Sequence, residues 1–404
     1  MKNLRKKGIS LIVLVITIIV MIILATAIIL SLNSSNIVEK AKEATKASDL
    51  ANAKNVVILA KGEWELMTSA EQASNGGTFS AYAESKLQEA GYALSGNGGV
   101  KATENGAINT IYVDTEGRQA IIPEGFTVST KTGEQKVSDG LVIMDVKGNE
   151  FVWIPVDDFS KFERTRTYDG TIADPGSMCI EPAELVDEGI TLSLSNDLTG
   201  EWAEYLALRA SVEENKGFYI GRYETGTTTA RTNISNGTTD VLIQKGKPVY
   251  NYVAWGPSMT SASGDVTYSS KNQGKGAVEL SRNMYKGSSS VVSTLCYGVQ
   301  WDAALQFMYN TDNTYPTNST DKGNYTGTLA NTGSSDDYAV NNIYDMAGNL
   351  YEWTMESSDI NTRIVRGGYY YLEGEYFSAY NRDDVLSPGS LENYIGFRVS
   401  LYIK

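Results

Sequence analysis

The chain of 404 residues opens with a basic cluster and a long apolar run, and this pairing constrains its architecture more than any other feature. Lys2, Arg5, Lys6 and Lys7 fall within the first eight residues, and Ile9 to Leu32 succeeds them as 24 residues without a charge. At about 1.5 Å of rise per residue, a helix of that length crosses the roughly 30 Å hydrocarbon core of a bilayer. The positive flank holds the amino terminus in the cytoplasm and sends the remainder outside. A cleaved secretory signal fits less well, because the run is long and its small-residue pattern, Ala25-Thr26-Ala27, lies inside it. A plain membrane anchor bearing an extracellular carboxy-terminal part satisfies the physics.

The next stretch extends the helix. There is no Pro or Gly from Ile9 to Lys61, and Ile37, Ala41, Ala44, Ala47 and Ala51 lay a small-residue stripe at helical spacing. A continuous helix over 9–67 is expected, on the order of 90 Å long. Lys7-Gly8 followed by Ile9-Ser10-Leu11-Ile12 resembles a type IV prepilin leader. That resemblance implies cleavage between Gly8 and Ile9, a pilin-like spine, other pilins as partners and a pilus or cell-surface location. The fifth mature position, a glutamate in the usual pilin, is Val13 here. A plain anchor with a stalk helix remains the alternative.

Residues 68–118 predict a small pilin-like α/β module: a polar loop, a helix from Phe79 to Ala90 stopped by Gly91, and an alternating strand in Ile108-Asn109-Thr110-Ile111-Tyr112-Val113. Residues 119–140 predict a connector with one short strand. From 141 to 404 the chain predicts one loop-rich α+β domain. Its expected strands are 151–156, 217–224 and 250–255, and its expected helices run from Trp202 to Glu214 and from Tyr297 to Tyr309. A strand pair is also expected around the turn Lys147-Gly148-Asn149.

Composition narrows the chemistry. The chain has no histidine, two cysteines (Cys179 and Cys296) and a net charge of −14. Imidazole-based nucleophile activation, imidazole metal sites, thiolate clusters and a disulfide framework are therefore excluded. An acidic chain without basic clusters is not built to grip nucleic acid.

The motif order of the last domain is more specific. After 151–156 (FVWIPV) and 217–224 (GFYIGRYE) come Trp301-Asp302-Ala303, then Asn342 to Trp353 (NIYDMAGNLYEW), Arg366-Gly367-Gly368 and Gly396-Phe397-Arg398. This set resembles the formylglycine-generating enzyme, or sulfatase-modifying factor, family, whose fold is C-type-lectin-like. The resemblance implies an RGG strand and a GFR strand bracketing an exposed loop. It also implies a structural calcium held near Asn349 and Glu352, an oxygen set suited to a hard cation, with a turn cap and an arginine pair as the alternative roles. The family's copper-dependent members use a cysteine pair between the two blocks, and its iron-dependent relatives use histidines. This chain has neither there, so no catalytic cofactor and no oxidase activity are expected. Carboxylate hydrolysis by Glu373, Glu375, Asp383 or Asp384 is left open by composition.

The 26 residues 369–394 contain six of the 25 tyrosines, mixed with Glu, Asp, Asn, Ser and Gly. Antibody combining loops use a similar mixture, since tyrosine brings contact area at low entropic cost. The placement also resembles the variable proteins of diversity-generating retroelements, which vary a tract just before the terminal GFR strand. Expected ligand-contacting residues are Tyr369, Tyr370, Tyr371, Glu373, Glu375, Tyr376, Tyr380, Asn381, Asp383, Asp384, Asn393 and Tyr394. The expectation is a surface-anchored, non-enzymatic binder of a protein or glycan. A structural minor pilin or pseudopilin is the rival reading, and a formylglycine-type oxidase the second.

Overall fold

The computed structural model describes residues 52–404, except 54, 96–98, 102–108, 115, 117, 165–166, 169–170, 173–197, 234–239, 257–275, 358–362 and 384–385. The leader, the apolar run, most of the spine, Cys179 and Asp384 lie outside the described residues. Among those described, no helix is long and apolar enough to cross a membrane.

The spine stretch that is described forms a helix over 55–66. Val57 and Ala60 are buried, and the Trp64 ring lies 5.5 Å from Tyr82 and 6.3 Å from Phe79. Those two aromatics belong to helix Phe79–Glu89. It starts where the Thr78 hydroxyl accepts from Ala81 N–H and stops before Gly91, whose φ of 90° an L side chain rarely adopts. An antiparallel sheet completes the module, in the order β1 (Ala93–Ser95), β2 (Gly99–Lys101), β3 (Asn109–Val113), β4 (Gln119–Pro123).

The stretch 119–140 contributes more than one strand. Its first residues are β4 of the small sheet, and β5 (Phe126–Val128) is the edge of the large one. Tyr219 Oη donates to the Ile121 carbonyl at 3.0 Å, so a core tyrosine of the large sheet is bonded to the small one.

Six antiparallel strands make the large sheet, ordered β11 (Val291–Leu295), β18 (Val399–Ile403), β10 (Gly217–Gly221), β7 (Glu150–Pro155), β6 (Val142–Asp145), β5. β10 and β18 are buried at every position, which is why they read as continuous apolar runs. Helix Leu198–Asn215 packs on both strands, and Ser211 Oγ bonds the Ile403 carbonyl at 2.7 Å. Helix Gly298–Tyr309 comes directly after β11 and packs against β7. Two two-stranded pairs, β8 (Thr167–Tyr168) with β9 (Thr171–Ile172) and β12 (Ala339–Val340) with β13 (Ile343–Tyr344), stand apart from the larger sheets.

A second, four-stranded sheet carries the motif blocks in the order β16 (Arg382–Asp383), β15 (Val365–Arg366), β14 (Tyr351–Trp353), β17 (Ile395–Phe397). β14 and β17 run parallel and the other pairs antiparallel. Two expectations change here. Residues 250–255 are not a strand: Tyr252 has φ 52°, and the segment instead bonds the carboxy-terminal loop through Tyr252 N to the Glu392 carbonyl and Trp255 N to the Pro388 carbonyl. The RGG and GFR strands flank the tract along the chain, but Arg382–Asp383 returns as a strand in its middle, so it is not one uninterrupted loop.

Candidate functional site

The tract leaves β15 through Gly367 and Gly368, at φ 89° and 71°. A Cβ on Gly368 would sit 2.3 Å from the Phe377 carbonyl oxygen, so only glycine lets the chain fold back this closely. The excursion then re-enters the sheet at β16, where Val365 pairs with Asp383 and Arg366 with Arg382.

That re-entry is held by buried charges. Arg366 reaches Glu356 Oε2 and Asp302 Oδ1, each at 2.7 Å, while Arg382 reaches Glu356 Oε1 at 3.0 Å and Asp302 Oδ2 at 2.5 Å. All four side chains are withdrawn from solvent. Burial alone would raise Glu356, but Arg382 and Arg366 bring its carboxyl down to about 2. Two carboxylates facing two planar guanidinium forks satisfy one another, and this makes such a square tolerable in the core.

Around this frame the tract divides. On one side, Tyr369 stacks on Tyr394 at 4.6 Å and lies 5.3 Å from Tyr351 of β14. Tyr370 meets Tyr369 edge-on at 5.6 Å and Tyr371 at 4.8 Å. Asp383 Oδ2 accepts from Tyr351 Oη at 3.1 Å, and Asn393 Nδ2 donates to Tyr370 Oη at 3.2 Å. The structure thus brings Tyr369, Tyr370, Tyr371, Asp383, Asn393 and Tyr394 together. Tyr370 is buried as a floor residue, whereas Tyr371 is 69% exposed.

Glu373, Glu375, Tyr376, Tyr380 and Asn381 form the rest of the excursion, which rests on the loop after helix Gly298–Tyr309. Ser319 N donates to the Gly374 carbonyl and Tyr380 N to that of Pro316. Tyr325 Oη closes the seam by donating to the Phe377 carbonyl at 2.7 Å. Glu373 and Glu375 are exposed, Tyr376 is 66% exposed, and Tyr380 and Asn381 are half-buried.

Sequence reasoning missed Tyr351, the supporting loop 313–330, and the role of Asp302, Glu356 and Arg382. Strand alternation held a signal for the first, since Tyr351 and Glu352 are successive residues of one strand and project to opposite faces. Nothing local marks the charged square, whose members lie up to 80 residues apart.

Asn349 and Glu352 do not fit a calcium ion in this arrangement. Both Glu352 oxygens accept from Arg398, at 2.9 and 2.6 Å, and the same guanidinium donates to the Gly221 and Tyr344 carbonyls. Asn349 Oδ1 accepts from Asn324 Nδ2 at 2.8 Å and Ala330 N at 2.9 Å, and its Nδ2 donates to Glu224. A cation at this pair would displace a buried arginine. No group of three or more acidic, cysteine or histidine side chains placed to hold a metal occurs among the described residues. Cys296 is buried, its thiol 3.5 Å from the Tyr297 carbonyl.

Burial raises the Glu224, Asp345 and Glu352 carboxyls. Glu224 is driven well up by burial and then by the charges of Asp345 and Glu352; Asp345 reaches about 6 and Glu352 about 7, Arg398 opposing burial at both. All three side chains are fully buried.

Residues 297–402 match the model of the sulfatase-modifying factor enzyme 1-like domain. The matched region runs from the start of helix Gly298–Tyr309 through the second sheet to β18, and is narrower than the 141–404 expected. Among solved structures, Treponema denticola variable protein 1 is similar at 15% identity, over 46% of this chain and 84% of that one, with a TM-score of 0.30. No curated protein matches.

Proposed function

We propose that this chain is a surface-anchored binding protein whose sulfatase-modifying-factor-like domain presents the 369–394 tract to a protein or glycan ligand, without chemistry. One observation carries the reading: a frame of buried ion pairs supports a tract on which Tyr371 and Tyr376 stand exposed. Tyr371 and Tyr376 are among the few large hydrophobic side chains left more than half exposed in the described structure. Exposed aromatic area on a fixed support favours binding, because little conformational entropy is lost on contact. The basic flank and apolar run at the amino terminus support the anchoring part of the reading, and the leader-like Gly8-Ile9 junction its pilin-like part.

The test is replacement of Tyr376, Tyr380 and Asn381 by Ala. Lost adhesion with normal surface display supports the proposal. Lost filaments with unchanged adhesion supports the structural minor-pilin reading. That second reading has an observation of its own: Ile58, Leu59 and Leu66 are 59%, 69% and 88% exposed, on the side of helix 55–66 facing away from buried Val57 and Ala60. Stoichiometric copper in the purified protein would replace both readings with that of an oxidase.

A further inference from the structure

The loop that supports the tract carries the spacing Asn-x-Ser/Thr twice, at Asn318-Ser319-Thr320 and Asn324-Tyr325-Thr326. Asn33, Asn233 and Asn236 begin the same spacing, but those triplets lie wholly or partly outside the described residues. An asparagine so placed, with no proline between, accepts N-linked sugar where its amide reaches solvent on an exported chain. The fold treats the two described triplets differently. Asn324 is 3% exposed, and its Nδ2 donates to the Thr328 carbonyl and to Asn349 Oδ1, each at 2.8 Å. Freeing that amide would leave buried acceptors without a donor.

Asn318 is the opposite case. Asn318 and Thr320 are exposed, while Ser319 between them is buried. Ser319 Oγ donates to the Tyr315 carbonyl at 2.6 Å and accepts from Ala379 N at 3.0 Å, and its own N donates to the Gly374 carbonyl. The middle residue is thus pinned inward and its two neighbours are left to solvent. Asn318 Oδ1 accepts from Thr320 N at 3.2 Å and Thr320 Oγ1 at 2.8 Å, and its Nδ2 donates to no described residue. The amide is fixed by its oxygen and offers its nitrogen.

Resting on the extracellular placement in the reading above, we infer that Asn318 is a site of N-linked glycosylation and Asn324 is not. The co-substrate is a sugar activated as a glycosyl diphosphate. A bond forms between Asn318 Nδ2 and the anomeric carbon, and the bond from that carbon to the diphosphate oxygen breaks. The diphosphate leaves with the electron pair, and one amide proton passes to solvent. The sugar borders the exposed residues Glu373, Glu375 and Tyr376, because Ser319 is bonded to Gly374.

The test isolates the full chain from the cells that make it and reads its peptides by mass spectrometry. Cleavage after Lys322 puts the two asparagines on separate peptides. The Asn318 peptide is expected to carry whole sugar masses and the Asn324 peptide none. Asn318→Gln and Thr320→Ala should each abolish that mass, while Thr320→Ser, which keeps the hydroxyl, retains it. Thermal melts identify any variant that has lost its fold, and the wild-type peptides then carry the comparison. A bare Asn318 on protein that surface labelling finds outside the cell overturns the inference, as does sugar on Asn324. If adhesion still depends on Tyr376, Tyr380 and Asn381 when Asn318 is bare, the glycosylation inference fails and the binding role stands. Protein found only inside the cell overturns both.

Discussion

Replacing Arg382 with Ala tests whether the buried charges are the support of the tract. The substitution removes two ion pairs at once, leaving Glu356 Oε1 and Asp302 Oδ2 without their guanidinium partner in a place closed to water. Removing one partner of a buried pair costs about 3–5 kcal/mol, because an uncompensated charge stays behind. A domain of this size loses roughly 2–4 °C of Tm per kcal/mol, so a fall of roughly 6–20 °C is expected. Arg282 supplies the control. It makes a forked pair with Glu204, at 2.9 and 3.2 Å, but its side chain is 33% exposed. Solvent screening keeps such a pair near about 1 kcal/mol or less. The assay is urea unfolding of wild type, Arg382→Ala and Arg282→Ala, read from midpoint and slope together. If the two variants lose the same stability, the argument from buried charge is wrong. The tract would then be held by its loop contacts, Tyr325 and the 313–330 segment.

The same geometry sets two further outcomes. Asp345 and Glu352, raised by burial to about 6 and about 7, are favoured in their protonated forms by the fold. Their contribution is full below the unfolded carboxylate range and is lost as pH rises through the folded values, so urea midpoints should fall between pH 5 and pH 8. The chain has no histidine to obscure that window, and Asp345→Asn should flatten the slope; Glu356, lowered to about 2, acts oppositely and only under strong acid. Gly368→Ala should cost more than Gly246→Ala: both glycines have φ near 70°, but only at Gly368 would the new Cβ meet backbone, 2.3 Å from the Phe377 carbonyl. Gly246→Ala should cost about 1 kcal/mol of backbone strain, and thermal melts of the two variants measure the steric remainder.

Much of the local structure was legible from residue order. The helices Phe79–Glu89 and Gly298–Tyr309 arise from periodicity and their end signals, and β6, β7 and β10 from apolar runs around turn residues. The motif blocks pointed to the domain that residues 297–402 match. At 250–255 an aromatic alternating run predicts a strand, but it is also what a buried, irregular strap looks like. Only its bonds to Glu392 and Pro388, far along the chain, distinguish the two.

The candidate site shows the same division. Residue order revealed that tyrosine and carboxylate concentrate between Gly368 and Ile395, because composition is a local property of the chain. It could not separate the tyrosines that form a floor from those that face solvent, nor show that the tract's one arginine points inward. Those outcomes depend on Asp302, Glu356 and Tyr351 arriving from other elements, and on β16 pairing with β15 in one register. A one-residue slip would exchange Arg382 and Asp383 between core and surface. Tertiary pairing therefore decided which of the two side chains, Arg382 or Asp383, the tract turns into the core.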